Sequence, residues 1–216
     1  MSSIRALASR RHLKSGMMAM STIKQPRYID LSISIENDVI SDPPSMRPKI
    51  EYHSHKDTVA QIASFFRGLE AKDLPDGEAW AIENVQLTTH NGTHLDAPYH
   101  FHSTTIDSEG KTIPAKTIDE IPLEWCYANG VKLDFRHLED GYVVQVDDVQ
   151  RALNLINYKI QPFDIVLVNT SAGEAYGDES YLHKGCGVGK EATLYLLDQG
   201  VKITGTDAWS WVSRFL

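Results

Sequence analysis

The chain has 216 residues, enough for one domain with a sizeable core, and its 42% hydrophobic and 23% charged residues are ordinary proportions for a globular protein. A formal net charge of −8 without any basic stripe argues against a nucleic-acid partner. No apolar run approaches the length of about 18 residues that a membrane-spanning helix needs. Two cysteines are too few for a disulfide scaffold, so we expect a reducing compartment, by default the cytoplasm.

Residues 1–26 form a basic leader. They contain five lysines and arginines, several serines and no acid, a composition typical of mitochondrial transit peptides. The alternative is a disordered segment ahead of the true start, because Met17, Met18 and Met20 are all candidate first residues. We therefore expect a flexible leader at 1–26, with mitochondrial targeting as one interpretation, and the folded domain at 27–216.

The first half of the domain predicts a strand, a helix and a second strand. Residues 28–35 alternate apolar and polar side chains, as a half-buried strand does. Asp57 can cap a helix whose apolar residues recur at helical spacing as far as Leu69. Within it, Phe65 and Phe66 either pack in the core or line a pocket. Residues 80–89 are rich in strand formers and lead directly into a histidine-rich segment, and 103–122 are polar and irregular.

The histidine-rich segment, residues 90–102, holds four of the nine histidines and one aspartate. Gly92 and Pro98 interrupt any helix here, so we expect extended backbone with a bend at Gly92. In extended backbone, side chains at even offsets share a face. The histidines and the aspartate of the segment are all even-numbered: His90, His94, Asp96, His100 and His102.

The bend can bring His90 and His94 to one point, where Asp96 converges with them. Two imidazoles and one carboxylate are the ligand set of a Zn²⁺ or Mn²⁺ site with open positions. His100, beyond Pro98, is a further imidazole that suits proton transfer near neutral pH. The alternative for any single histidine is a surface or hydrogen-bonded residue, which is our interpretation of His53 and His55.

The second half predicts alternating strands and helices. Strands are expected at 131–135, 165–168 and 201–204, and helices at 147–156, with Asp147 as N-cap, and at 189–199, with Gly200 as the stop. The side chains expected inside the helices are Val149, Ala152, Leu153 and Ile156, and then Leu194, Leu196 and Leu197. This order implies right-handed crossovers and a largely parallel sheet, and hence an α/β fold. Cys186, between two glycines, is either a nucleophile or a small buried residue in a tight turn; we favour the latter.

The pattern His90-x-Gly92-Thr93-His94-x-Asp96-x-Pro98-x-His100 resembles the H-x-G-T-H-x-D-x-P-x-H signature of the cyclase family of metal-dependent hydrolases. That family includes kynurenine formamidases (arylformamidases) and isatin hydrolases. The resemblance extends from Arg27–Leu31 to Gly205–Ser210, most of the chain. It implies a mixed α/β fold with a swivelling β/β/α core in a single domain, and an active site with one or two divalent metal ions, Zn²⁺ or Mn²⁺.

The resemblance also implies roles for particular residues. His90, His94 and Asp96 would hold the metal, and His100 would act as the acid/base. Glu191 matches a family glutamate that can ligate a second metal, although the first turn of a helix favours acids in any case. Gly185 stands where the family often has a histidine, which leaves His183 a weak candidate and a single-metal site an alternative. Asp207 is expected to organise neighbouring loops.

The implied activity is hydrolysis of carbon–nitrogen bonds in small-molecule amides, arylformamides or cyclic amides, by a homo-oligomer. Family members of this type usually continue for several tens of residues beyond the point where this sequence ends, so we expect a domain truncated at its C-terminus. The alternative hypothesis is a catalytically impaired member that keeps only the fold and metal binding.

Overall fold

The computed structural model describes residues 26–212. The leader predicted at 1–26 therefore lies, apart from Pro26, outside the described residues. The chain divides into two units, residues 1–31 and 32–216. In the first unit, residues 26–31 are irregular and exposed. All that follows concerns the second unit.

The first strands of the second unit form two antiparallel pairs. Strands β1 (Lys49–His53) and β2 (Ile82–Gln86) pair with each other, and helix α1 (Val59–Phe65) lies between them in the chain. After β2 come the one-turn helix α2 (Pro98–Phe101) and a short hairpin of β3 (Thr104–Ile106) and β4 (Thr112–Pro114). Single 3₁₀ turns lie at Ala71–Asp73, Pro75–Gly77, Ile118–Glu120, Leu123–Trp125, Ser171–Ala175 and Glu179–His183.

The remaining elements form the parallel half of the fold. In chain order they are β5 (Gly130–Asp134), β6 (Val143–Val144), α3 (Val146–Leu155), β7 (Ile165–Asn169), β8 (Gly187–Val188), α4 (Lys190–Asp198) and β9 (Ile203–Thr206). A three-stranded parallel sheet has the order β5-β7-β9, and β6 pairs with β8, also in parallel. The predicted parallel sheet is confirmed, with β9 two residues later than expected.

The hydrophobic core lies between this sheet and helices α3 and α4. Leu133, Val166 and Leu196 are at most 1% exposed, and each such side chain contributes roughly 1.5–3 kcal/mol by its burial. Helix α4 stops where Gly200 takes a φ of +89°, and a Cβ there would lie 3.0 Å from the Cα of Pro162. The stop predicted at this glycine is confirmed.

The strand predicted at 28–35 is wrong. None of these residues is in a strand, and the apolar side chains of Ile33 and Ile35 are 38% and 40% exposed. A strand needs a neighbour that takes up its backbone hydrogen bonds. The backbone N–H of Ile33 donates instead to the Thr93 hydroxyl, at 3.1 Å. Alternation of side chains was therefore not sufficient evidence for a strand.

Several other local predictions also differ from the structure. Residues 103–122 contain the β3–β4 hairpin, and α1 ends at Phe65 instead of reaching Leu69. The N-caps of α1 and α3 are Thr58 and Gln145, where Asp57 and Asp147 were expected. Five large side chains expected to pack inside or line a pocket are half-exposed: Phe65, Phe66, Ile156, Leu194 and Leu197. The side of a helix that is buried depends on the elements packed against it, and the apolar periodicity of the sequence does not identify those elements.

The helices within residues 26–212 are too short, or not apolar enough, to cross a membrane.

Candidate metal centre

The histidine-rich segment begins with a tight turn after β2. In this turn the backbone N–H of Asn91 donates to the carbonyl of Thr88 at 3.2 Å. Gly92 then takes a φ of +64°, which reverses the chain at the predicted bend. A Cβ on Gly92 would lie 2.9 Å from Cγ1 of Ile35, so the residue is also confined by a neighbouring segment.

The turn brings together one atom from each of the three predicted ligands. Nδ1 of His90 lies 2.9 Å from Oδ1 of Asp96, and Nε2 of His94 lies 3.5 Å from the same oxygen. The two histidine nitrogens are 3.3 Å apart. The three side chains are between 29% and 31% exposed, so the group is open to solvent on one side.

This group fits a metal ion of the predicted kind. Ligand atoms at about 2.0–2.1 Å from a tetrahedral zinc ion lie about 3.3 Å from each other. The three separations of 2.9, 3.3 and 3.5 Å lie close to that value. Nδ1 of His94 is 2.9 Å from the carbonyl oxygen of Gly92 and must donate to it. In the neutral ring, Nε2 of His94 then carries a free lone pair directed at the group, as metal-binding histidines usually do.

His100 lies beside these residues on α2, which Pro98 starts as its first residue. The expected extended backbone is therefore wrong for residues 98–101. The helical turn places the ring centroid of His100 4.1 Å from that of His90. Ligand atoms of His90, Asp96 and His100 lie within 4.8 Å of one another. The position suits either a further ligand or a proton-transfer group.

The other predicted site residues lie elsewhere in the chain. Glu191 is exposed in the first turn of α4 and does not belong to the His90, Asp96 and His100 group. His183 lies in a 3₁₀ turn and lines a small surface cavity together with Cys186 and Trp209. Burial raises the pKa of the Cys186 thiol to about 11, which agrees with a structural residue in place of a nucleophile.

Asp207 follows β9 and organises the loop after β7. Its Oδ1 accepts hydrogen bonds from the backbone N–H and the hydroxyl of Thr170, at 2.8 and 2.9 Å. Its Oδ2 accepts one from the side chain of Asn169 at 2.6 Å. The structural role expected for Asp207 is confirmed.

Sequence reasoning missed one residue of the loop, Asn91. Its side chain is 4% exposed and forms hydrogen bonds with residues of two segments. Asparagine in a loop has no distinctive pattern, and it occupies a variable position of the signature, so no signal in the sequence marked it.

Comparison with known proteins gives the family. The Cyclase family model matches residues 29–212. No curated protein matches the chain. Among solved structures, isatin hydrolase A from Labrenzia aggregata, bound to benzyl benzoate, gives a TM-score of 0.60 at 22% identity, over 86% of this chain and 69% of that one.

Two further solved structures are similar. Isatin hydrolase A from Ralstonia solanacearum has a TM-score of 0.61 and 23% identity, over 86% of this chain and 68% of that one. A predicted metal-dependent hydrolase from Bacillus stearothermophilus has a TM-score of 0.52 and 20% identity, over 87% of this chain and 71% of that one. At these identities the similarity shows the fold, and it confirms the predicted mixed α/β class. Since the family model covers most of the sequence, the protein belongs to the cyclase family.

Proposed function

We propose that the protein is a metal-dependent hydrolase that cleaves a carbon–nitrogen bond in a small-molecule amide other than a peptide. The observation that carries this proposal is the convergence of Nδ1 of His90, Nε2 of His94 and Oδ1 of Asp96 within 3.5 Å of one another. Such a set binds a divalent ion while leaving positions for water and substrate. Similar solved structures described as isatin hydrolases and metal-dependent hydrolases support it.

The surroundings of the site favour an aromatic amide. Phe101 packs edge-on against His100, with ring centroids 5.0 Å apart, and is 71% exposed. Tyr99, on the same helical turn, is 56% exposed. Exposed aromatic rings beside a polar centre suit a substrate that has an apolar ring and one reacting carbonyl. An arylformamide or a cyclic aryl amide such as isatin has this shape.

Four side chains take part in the proposed reaction. His90, His94 and Asp96 would hold the ion, Zn²⁺ or Mn²⁺, which when bound polarises a carbonyl and lowers the pKa of water towards neutrality. His100 accepts a proton from the water that attacks the carbonyl carbon. It returns this proton to the nitrogen as the carbon–nitrogen bond breaks, which yields a carboxylic acid and an amine.

Glu191 remains a proposed ligand of a second ion. A Glu191→Gln substitution should lower the number of bound ions from two to one if that role is correct. If wild type binds a single ion and the variant binds it equally well, Glu191 is not a ligand and only interacts favourably with the helix dipole. We also propose a homo-oligomeric assembly, which the mass in solution tests directly.

Metal analysis followed by a screen of small amides and lactams tests the function. Wild type should bind at least one divalent ion, and His94→Ala should lose most of it, because one of three converging ligands is gone. The control is His55→Ala, which replaces an exposed histidine two residues after β1 and should keep the ion.

The outcomes separate the hypotheses. Wild-type protein that binds no divalent metal at micromolar concentration would refute the site. Protein that binds metal but hydrolyses no formamide or cyclic amide would favour the impaired family member over the enzyme.

A further inference from the structure

The turn that carries His90 is closed by the side chain of its neighbour, Asn91. The backbone N–H of Thr88 donates to Oδ1 of Asn91 at 2.8 Å. The backbone N–H of Asn91 in turn donates to the carbonyl of Thr88. Two hydrogen bonds therefore close the four residues 88–91 into one unit, and His90 lies inside it. Local closure of this kind fixes the backbone from which the His90 side chain extends.

The same side chain fastens the turn to a distant segment. Nδ2 of Asn91 donates to Oδ2 of Asp42 at 2.9 Å and to the carbonyl of Met46 at 2.8 Å. Residues 43–46 form a turn themselves, because the N–H of Met46 donates to the carbonyl of Pro43. The amide thus uses both donors and its acceptor, and at 4% exposure it has little access to water.

The partner segment is in turn held by the parallel half of the fold. Ser41 is fully buried, and its hydroxyl accepts a hydrogen bond from the backbone N–H of Gly177 at 2.5 Å. Gly177 therefore holds residues 41–46 by a hydrogen bond at Ser41, and the same segment holds Asn91 and the turn that carries His90. This segment connects the open metal loop to the part of the fold with the larger core.

We infer that Asn91 is a positioning residue for the metal centre: its amide holds the 88–91 turn against residues 42–46 and so aims His90 at His94 and Asp96. This inference rests on the proposed metal site. Asn91 has no atom in the group of ligands and would act only through His90. Groups that hydrogen-bond to metal ligands change metal affinity about 10–100-fold when they are lost. Asn91 acts instead through the backbone of His90, and we expect an effect within the same range.

The isosteric substitution Asn91→Asp separates positioning from other effects. The aspartate keeps the acceptor for Thr88 but sets an oxygen, in place of the NH₂ group, against the Asp42 carboxylate and the Met46 carbonyl. The added negative charge beside His90 would by itself strengthen cation binding. Loss of positioning acts in the opposite direction, so the sign of the change in affinity decides between them.

The experiment titrates metal-free protein with Co²⁺ and Zn²⁺ and records the Co²⁺ visible spectrum, which reports coordination geometry. We expect Asn91→Asp to bind either ion about 10–100-fold more weakly than wild type and to have an altered Co²⁺ spectrum. Asn84→Asp, at an exposed asparagine on β2, is the matched control and should behave as wild type. The double variant Asn91→Asp, Asp42→Asn exchanges donor and acceptor across the link and should recover part of the affinity.

An Asn91→Asp protein that is folded and binds Co²⁺ as tightly as wild type, or more tightly, overturns the inference. If that variant does not fold, Asp42→Ala decides, because Asn91 then keeps its bonds to Thr88 and Met46. It should weaken metal binding by about tenfold, and unchanged affinity refutes the inference. Wild type that binds neither ion would instead refute the proposed metal site itself, so the two failures are distinguishable.

Discussion

Replacing His100 by alanine tests the proposed division between metal binding and proton transfer. His100 is exposed on α2 and is not one of the three residues whose ligand atoms lie within 3.5 Å of one another. Its ring nevertheless lies 4.1 Å, centroid to centroid, from that of His90. A proton-transfer group and a metal ligand therefore predict different results for the same variant.

The expected magnitudes follow from this position. A positioned acid/base contributes about 10²–10⁴-fold to the rate, so turnover should fall by that factor, equivalent to roughly 2.7–5.4 kcal/mol in the barrier. Because the side chain is exposed, its removal should change the free energy of unfolding by less than about 0.5 kcal/mol, or roughly 1–2 °C. Metal content should stay at the wild-type level.

The assay measures metal content, melting temperature and turnover on one preparation of His100→Ala, with a substrate found in the amide screen. His102→Ala is the matched control, because the ring of His102 accepts a hydrogen bond from the N–H of Thr104 at 3.0 Å, outside the metal group. If metal falls together with the rate, His100 is a ligand. If turnover is unchanged, His100 has no part in proton transfer and the reasoning fails.

Two further predictions concern groups with shifted pKa values. Hydrogen bonds to Asp140, first from Lys184 and then from the N–H of Gly185, hold its pKa at about 2. This is below the ordinary value of 3.8, so the carboxylate stabilises the fold above pH 4, and that contribution disappears as the pH falls through about 2. Asp140→Asn should therefore cost about 1–2 kcal/mol at pH 7, allowing for partial exposure, and calorimetry should find a difference from wild type that shrinks between about pH 4 and pH 2; a constant difference contradicts the assignment. Thiol titration at pH 8 should find one reactive cysteine, the exposed Cys126, with buried Cys186 reacting only after denaturation, and rapid reaction of both would show that Cys186 is accessible.

The parallel half of the fold could be predicted because its signals are local and agree with one another. The run 165–168 in strand β7 is continuously apolar, and helix α4 stops just before Gly200, a residue that favours that position. The prediction of a strand at 28–35 was wrong because alternation of apolar and polar residues describes a single strand. It does not show that a second strand is present to pair with it. Whether a second strand is present depends on the arrangement of distant residues.

The proposed ligand set His90, His94 and Asp96 came from the sequence alone, because residue type, spacing and the bend at Gly92 are properties of a single short segment. Only the tertiary structure placed His100 on a helical turn and brought its ring 4.1 Å from that of His90. Only the tertiary structure revealed that Asn91 holds the loop, since its partner Asp42 lies 49 residues earlier in the chain. The physical reason is the same in both cases: a turn that one segment closes by itself is encoded locally, whereas the direction in which that turn faces is fixed by hydrogen bonds to residues that folding brings from elsewhere.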